Sequence, residues 1–449
     1  MLLLLSVSNV FAQSTDWSGI LEKNNVYKQE VNARNFPFLD SIARDKRIIM
    51  LGEKRHDHGA SRTTIAKIIR YLHEKHEFNA WVMENDMVRL RNVREGLKTD
   101  PLSFLTFMDD YFSDVFNFND VRLYEYVYDH RNDERPLRVY GGDVAILFGK
   151  PLQEKFIVEY EKILPLELLS EEQKEDLDCL KSDMFLIDGD RSIAEQYLAL
   201  FDRFSEEVAA LDSHYYHRVQ YVLLRNHVYY EMSLHMTKRN PLFWEKYPEG
   251  SMDWGKTRDS LMALTFEWLL TYGPLKDEKK IVVSYSAWHI ADNLSSIGAE
   301  IDEIDEAIPM KELLSPKYKD EIYSIAFVNY GGYRGDQQPI GYPYGPRKIL
   351  PEKEFLREKG IEGELARRGY QEAFVDFTKV KKNPLFYMSP TFRDKEYYYD
   401  WTKVYSGIYF IKEMEPIFND WVRFMRNDHQ NYQRRYEAWK LEKKVKYFE

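Results

Sequence analysis

A single cysteine, Cys179, among 449 residues excludes an intramolecular disulfide framework and any zinc site built from several thiolates. Basic residues are in the minority. The 63 Lys and Arg against 74 Asp and Glu leave a formal charge of −11, the opposite of the basic face that nucleic-acid binding requires. Long apolar runs are also missing. The most apolar stretch, Met1–Ala12 (MLLLLSVSNVFA), is too short to span a bilayer, so no membrane span is expected. Several chemical signatures are absent as well: there is no GxSxG elbow to present a serine nucleophile, no Walker A loop, no GxGxxG and no HExxH. The motif HEKHE at 73–77 places two histidines three apart, and reads as the solvated face of a helix. No internal repeat or low-complexity tract is present.

What is there describes a folded chain. Hydrophobic residues make up 44% and charged residues 31%, which is enough apolar surface to build a core. Aromatic residues reach 15%, and suit either a lined cleft or many half-buried rings. Met1–Ala12 resembles the end of a secretory signal, with Val10 and Ala12 at the −3 and −1 positions of a small-residue cleavage site, although no Lys or Arg precedes the run. Export to the periplasm or medium is therefore expected, with residues 13–449 forming one α/β domain.

Short β-type runs recur at 47–52, 79–84, 136–144, 280–285, 322–328 and 407–411. Residues 61–76 carry Ile65, Ile68, Ile69 and Leu72 at helical spacing. Strands separated by helices predict a mostly parallel central sheet flanked by helices. Between 151 and 270 the strand signal vanishes, which predicts a large helical insertion. The Gly-, Pro- and Tyr-rich stretch at 330–348 reads as a loop, and the charged stretch at 415–449 as a terminal helix.

In open α/β sheets the ligand crevice lies beyond the carboxyl ends of the strands. Polar residues cluster there four times: Gly52 to His58, Glu84 to Asp86, Gly141 to Asp143, and Trp288 to Asn293. Four such clusters, rich in carboxylate and imidazole, point to histidine and carboxylates acting on water or a proton. A glutamate can fix a histidine's tautomer so that its other nitrogen takes a proton from water, while a second histidine steadies the developing oxyanion. Two histidines with two or three carboxylates also suit a divalent metal, and spacing leaves both mechanisms open.

These residues resemble a specific family. The block LGEKRHDHGASRTTIAKIIRYLHEKHEFNAWVME at 51–84 is similar to the opening of the erythromycin esterase family: an apolar strand, Gly-Glu-x-x-His, a helix, and a Phe-x-Ala strand closing on Glu. The likeness continues with GGD at 141–143, with Arg258-Asp259-Ser260-Leu261-Met262-Ala263, and more loosely with Tyr285-Ser286-Ala287-Trp288-His289-Ile290.

The resemblance implies a metal-independent hydrolase, without cofactor, that opens an ester or lactone; type members act on macrolides. Carried over, Glu53 and His56 form the water-activating pair, Glu84 is an active-site carboxylate and His289 a second catalytic imidazole. Arg258 and Asp259 support the site. The helical insertion caps the cleft, and Arg55, His58, Asp143, Tyr330 and Arg334 are candidate substrate contacts, with Tyr333 beside the last two.

Three departures stand beside these positions. The family's Gly-x-x-Glu-Phe after the histidine is Asp57-His58-Gly59-Ala60-Ser61 here, and its later histidine and asparagine are Ser286 and Ala287. An arginine that some members carry further along the helix has only Arg62 or Lys67 as a stand-in. The alternatives are a metal-dependent hydrolase using the same cluster, and a secreted binding protein that retains the cleft without the chemistry. The oligomeric state is not encoded in any of these signals.

Overall fold

A computed structural model describes residues 17–31, 33–86, 90, 118–143, 170–171, 175, 254–271, 273–294, 308–334, 352–353, 356–381, 384–390 and 396–415. The strands are β1 (Val26–Gln29), β2 (Ile48–Glu53), β3 (Ala80–Asp86), β4 (Arg138–Asp143), β5 (Ile281–Ser286), β6 (Ile322–Arg334), β7 (Glu352–Lys353), β8 (Glu372–Asp376), β9 (Phe386–Met388), β10 (Tyr397–Tyr399) and β11 (Gly407–Met414). The longer helices are α1 (Leu39–Asp45), α2 (Gly59–His76), α3 (Phe118–Asp129), α4 (Trp254–Thr271) and α5 (Ile361–Arg367).

The central sheet runs β1-β8-β11-β6-β2-β5-β3-β4, with β7 paired to β6. From β11 to β4 every neighbouring pair is parallel, while β8 and β1 close one edge antiparallel. The fold is thus α/β with a mostly parallel sheet. Parallel strands are covered on both faces, which explains why β2 reads as a continuous apolar run and is buried along its whole length. Side chains alternate between faces with period two. Ile49 and Leu51 of β2 meet Ile65, Ile68, Ile69 and Leu72 of α2, together with α1 and α3. Ile48 and Met50 point the other way and join Met262, Phe266 and Leu269 of α4. Burial of each such aliphatic side chain contributes roughly 1.5–3 kcal/mol.

The order matters for the site. β5 inserts between β2 and β3, so their carboxyl ends, with those of β4 and β6, lie along one edge. Gly52 is needed at that edge, because a Cβ there would come within 2.8 Å of Ala287 and Ile290.

Each of the six runs expected to be strands is one, but the fifth is longer. Tyr330–Arg334 continue β6 rather than opening a loop, paired to β11 at Gly331 and Gly332 and to β7 at Tyr333 and Arg334. The glycines make this possible: Gly332 adopts φ +114 and lies against the Met414 backbone where no Cβ fits. The HEKHE stretch is solvated as expected at Glu74, Lys75 and Glu77, while its two histidines are half-buried. His73 bonds the Tyr126 hydroxyl at 2.6 Å and the Arg135 carbonyl at 2.9 Å, and His76 meets Asp40 at 2.8 Å.

Of the expected helical insertion at 151–270, the part from Trp254 is helical and packs on the sheet. Apart from residues 170, 171 and 175, the rest of that insertion lies outside the described residues, as do the signal-like start at 1–12, the tyrosine-rich stretch after Arg334 and the terminal segment after Glu415. Among the described residues no helix is long and apolar enough to cross a membrane.

Candidate active site

Four strand ends deliver the site. Glu53 closes β2, and the turn after it brings His56 back so that Nδ1 lies 2.6 Å from Glu53 Oε1. Arg62, one turn into α2, grips the same carboxylate from the other side, at 3.0 Å to Oε1 and 2.8 Å to Oε2. Glu84, near the end of β3, is the hub. Its Oε1 lies 2.9 Å from Arg258, 3.3 Å from His289 Nε2 and 3.7 Å from His56 Nε2. Its Oε2 accepts the Ser286 backbone N–H at 2.6 Å. Arg258, from α4, also donates to Asp143 at the end of β4. His289 is fixed from behind by Asp259, whose Oδ1 lies 2.7 Å from Nδ1 and also accepts the Met310 N–H at 2.7 Å.

The two imidazoles occupy different environments. His56 has 44% of its side chain exposed, His289 only 5%. Burial disfavours the His289 cation, but Asp259 and Glu84 outweigh it and raise its pKa to about 10. Both of its nitrogens face carboxylates, the arrangement of a standing imidazolium. For His56, desolvation also opposes the charged form, and the carboxylates of Glu84 and Glu53 raise the pKa above 6.5 overall. Burial alone would push Glu84 upward; His289, His56 and Arg258 instead hold it well below the usual carboxylate range. Glu84 is therefore a permanent anion with its lone pairs committed, and His56 is the group poised to exchange a proton with solvent.

All four residues expected to be catalytic, and the two supporting ones, converge here with Asp143. The remaining candidates are placed differently. Arg55 forks onto Asp57 at 3.0 and 3.2 Å. His58 is fully buried at the start of α2. Tyr330 packs against the core on the side of α4. Arg334 lies at the far end of β6, its backbone paired with Glu352.

Two contributors were not legible as site residues. Arg62 was visible only as a stand-in, because a helix spacing does not say which way a strand-end carboxylate turns. Tyr285 reads as strand core. Yet its buried hydroxyl lies beside Asp143 and Glu84, whose charges together with burial raise its pKa well above normal, and it fills the space a Cβ on Gly142 would need.

Comparison with known proteins supplies the family. The sequence pattern of the erythromycin esterase family matches residues 73–395. The chain belongs to the erythromycin esterase family. The matched region includes Glu84, Asp143, Arg258, Asp259 and His289, while Glu53, His56 and Arg62 precede it. A curated relative, YbfO of Bacillus subtilis (strain 168), whose name assigns it an unproven hydrolase activity, is 23% identical over 406 residues, covering 83% of this chain and 84% of its own.

Among solved structures, a mutant of the erythromycin esterase EreC in its open conformation superposes with a TM-score of 0.63 at 17% identity, covering 85% of this chain and 94% of that one. A protein from Bacillus cereus superposes at 0.62 with 16% identity, covering 89% and 97%. At such identities the structural likeness concerns the fold. Membership of the erythromycin esterase family places the chain among hydrolases.

Proposed function

We propose that this protein hydrolyses a small-molecule carboxylic ester or lactone by direct attack of water. The observation that carries the reading is the asymmetry of the two histidines around Glu84. His56 donates from Nδ1 to Glu53, which leaves Nε2, 3.7 Å from Glu84 Oε1, as the basic nitrogen. When neutral, it takes a proton from water as the oxygen attacks the carbonyl carbon. The negative charge that builds on the carbonyl oxygen forms beside His289 and Arg258, fixed positive groups in a largely buried setting. Collapse of the tetrahedral intermediate breaks the C–O bond, and the His56 imidazolium returns its proton to the departing alkoxide. Ester and water become acid and alcohol, and the histidine ends as it began.

A metal-dependent variant would have to place a cation at Glu84 Oε1, where the Arg258 guanidinium already lies at 2.9 Å. That charge neighbour favours the metal-free reading. Macrolide lactones are the first substrate class to try, in view of the family. The test is incubation of the purified protein with a macrolide plus a chelator, followed by mass spectrometry for the gain of one water. A water adduct that vanishes in His56→Ala supports the reading. Activity that the chelator abolishes and a divalent metal restores would replace it with the metal-dependent one.

A further inference from the structure

The polar run from Gly52 to His58 divides at the sheet. Glu53 turns toward α2 and Arg62, whereas Lys54 turns to the opposite face and is only 2% exposed. There its ammonium donates to Ser389 Oγ at 3.0 Å, just past β9. The Ser389 N–H in turn donates to Glu362 Oε1 at 2.8 Å, in α5. Glu362 is fully buried, and so is Arg357, whose backbone N–H bonds the Tyr330 carbonyl within β6. Burial raises the Glu362 pKa against the Ser389 amide, Arg357 and Lys54, which favour the carboxylate, and the balance lies at about 7.

Buried cations like these are costly, and well-packed apolar residues of similar volume commonly stabilise a fold as well or better. Their position suggests what they do instead. On one side Glu53 is registered against Ser286 of β5, and its carbonyl accepts the Ala287 N–H at 2.7 Å. On the other side the ladder between β2 and β6 ends at Gly52, one residue short of Glu53. Beyond that point Lys54, tied to Ser389, is what anchors this side of the strand end.

We propose that Lys54 is a positioning residue: its tether to Ser389 and Glu362, on the far face of the sheet, sets the backbone at Glu53 and thereby the Glu53–His56 contact. This builds on the reading of His56 as the base, but its effect on the His56 ring can be measured without any substrate. The experiment compares the full chain with Lys54→Met and with Ser389→Ala, which removes only the hydroxyl. Each is followed by histidine-ring NMR across pH, by thermal melting, and by ester hydrolysis where the parent protein has it.

The expected result is a folded variant in which the His56 pKa falls back toward 6.5, with kcat lowered about tenfold or more and KM within about twofold. Lys54→Arg, which keeps a cation, should recover part of the shift. If both variants are folded and His56 titrates as in the parent, the tether has no positioning role. If Lys54→Met fails to fold, Ser389→Ala decides. If the parent hydrolyses no ester, the NMR arm still stands, and only the proposed reaction has failed.

Discussion

His56 with Glu53 and His289 with Asp259 are chemically the same pair, an imidazole whose Nδ1 meets a carboxylate at 2.6 and 2.7 Å. Their surroundings separate them. Asp259 is buried behind His289 and Glu84 closes on its other nitrogen, so two anions face one enclosed ring. Glu53 shares its charge with Arg62, and Glu84 stands further from His56, whose ring opens to solvent. One pair is therefore a fixed cation and the other a group that can gain and lose a proton. The comparison teaches that the same two residue types supply a base or an electrostatic anchor according to enclosure and to what else claims the carboxylate.

The comparison is broken most severely by His56→Ala. Loss of a positioned base should cost about 10²–10⁴ in kcat, with little change in melting temperature because the ring is half exposed; a steady-state assay beside a thermal melt checks both. Arg258→Met should come next. It leaves Glu84 and Asp143 as buried carboxylates without their shared cation, and removal of one partner from such a set costs about 3–5 kcal/mol. Urea denaturation at neutral pH reads that loss.

A third change tests the His289 side. Its folded pKa, about 10, exceeds the ordinary histidine value, so its stabilising contribution is complete below about 6.5 and is lost as pH rises through the folded pKa. Stability should therefore decline over the alkaline range, and Asp259→Asn should flatten that decline, as measured by urea midpoints from neutral pH to about 10. The smallest effect concerns the pH–rate profile. The acid limb should lie above 6.5, because neutral His56 is the active form and its pKa is raised. Glu53→Gln should move that limb downward as it lowers the rate.

Much of the fold was legible because the strands of the parallel sheet are compact apolar runs and α2 has an unbroken helical period. Glu372–Asp376, by contrast, escaped notice. Five residues with an acid at each end carry almost no pattern, and what makes them β8 is antiparallel pairing to β1 and β11. The short β9–β10 hairpin was hidden for the same reason, its identity lying in cross-strand contacts such as Tyr387 against Tyr398.

For the site, the rule that ligands bind beyond strand carboxyl ends was enough to gather Glu53, His56, Glu84, Asp143 and His289. It could not say which member of a polar run faces the cleft. Lys54 and Arg55 flank the Glu53–His56 pair in sequence, yet one is buried on the far face and the other is spent on Asp57. Tyr330 and Arg334 read as part of a loop because Gly, Pro and Tyr dominate that stretch, whereas Gly331 and Gly332 serve to let β6 run close against β11.

The claim on which the rest depends is that the two histidines differ in protonation. Histidine-ring NMR titration of the intact protein, assigned with His56→Ala and His289→Asn, measures it directly. The account predicts that His289 stays doubly protonated to a pKa of about 10 while His56 titrates earlier, above 6.5. Titration of His289 at an ordinary histidine pKa, or with His56 the later of the two to lose its proton, would contradict it.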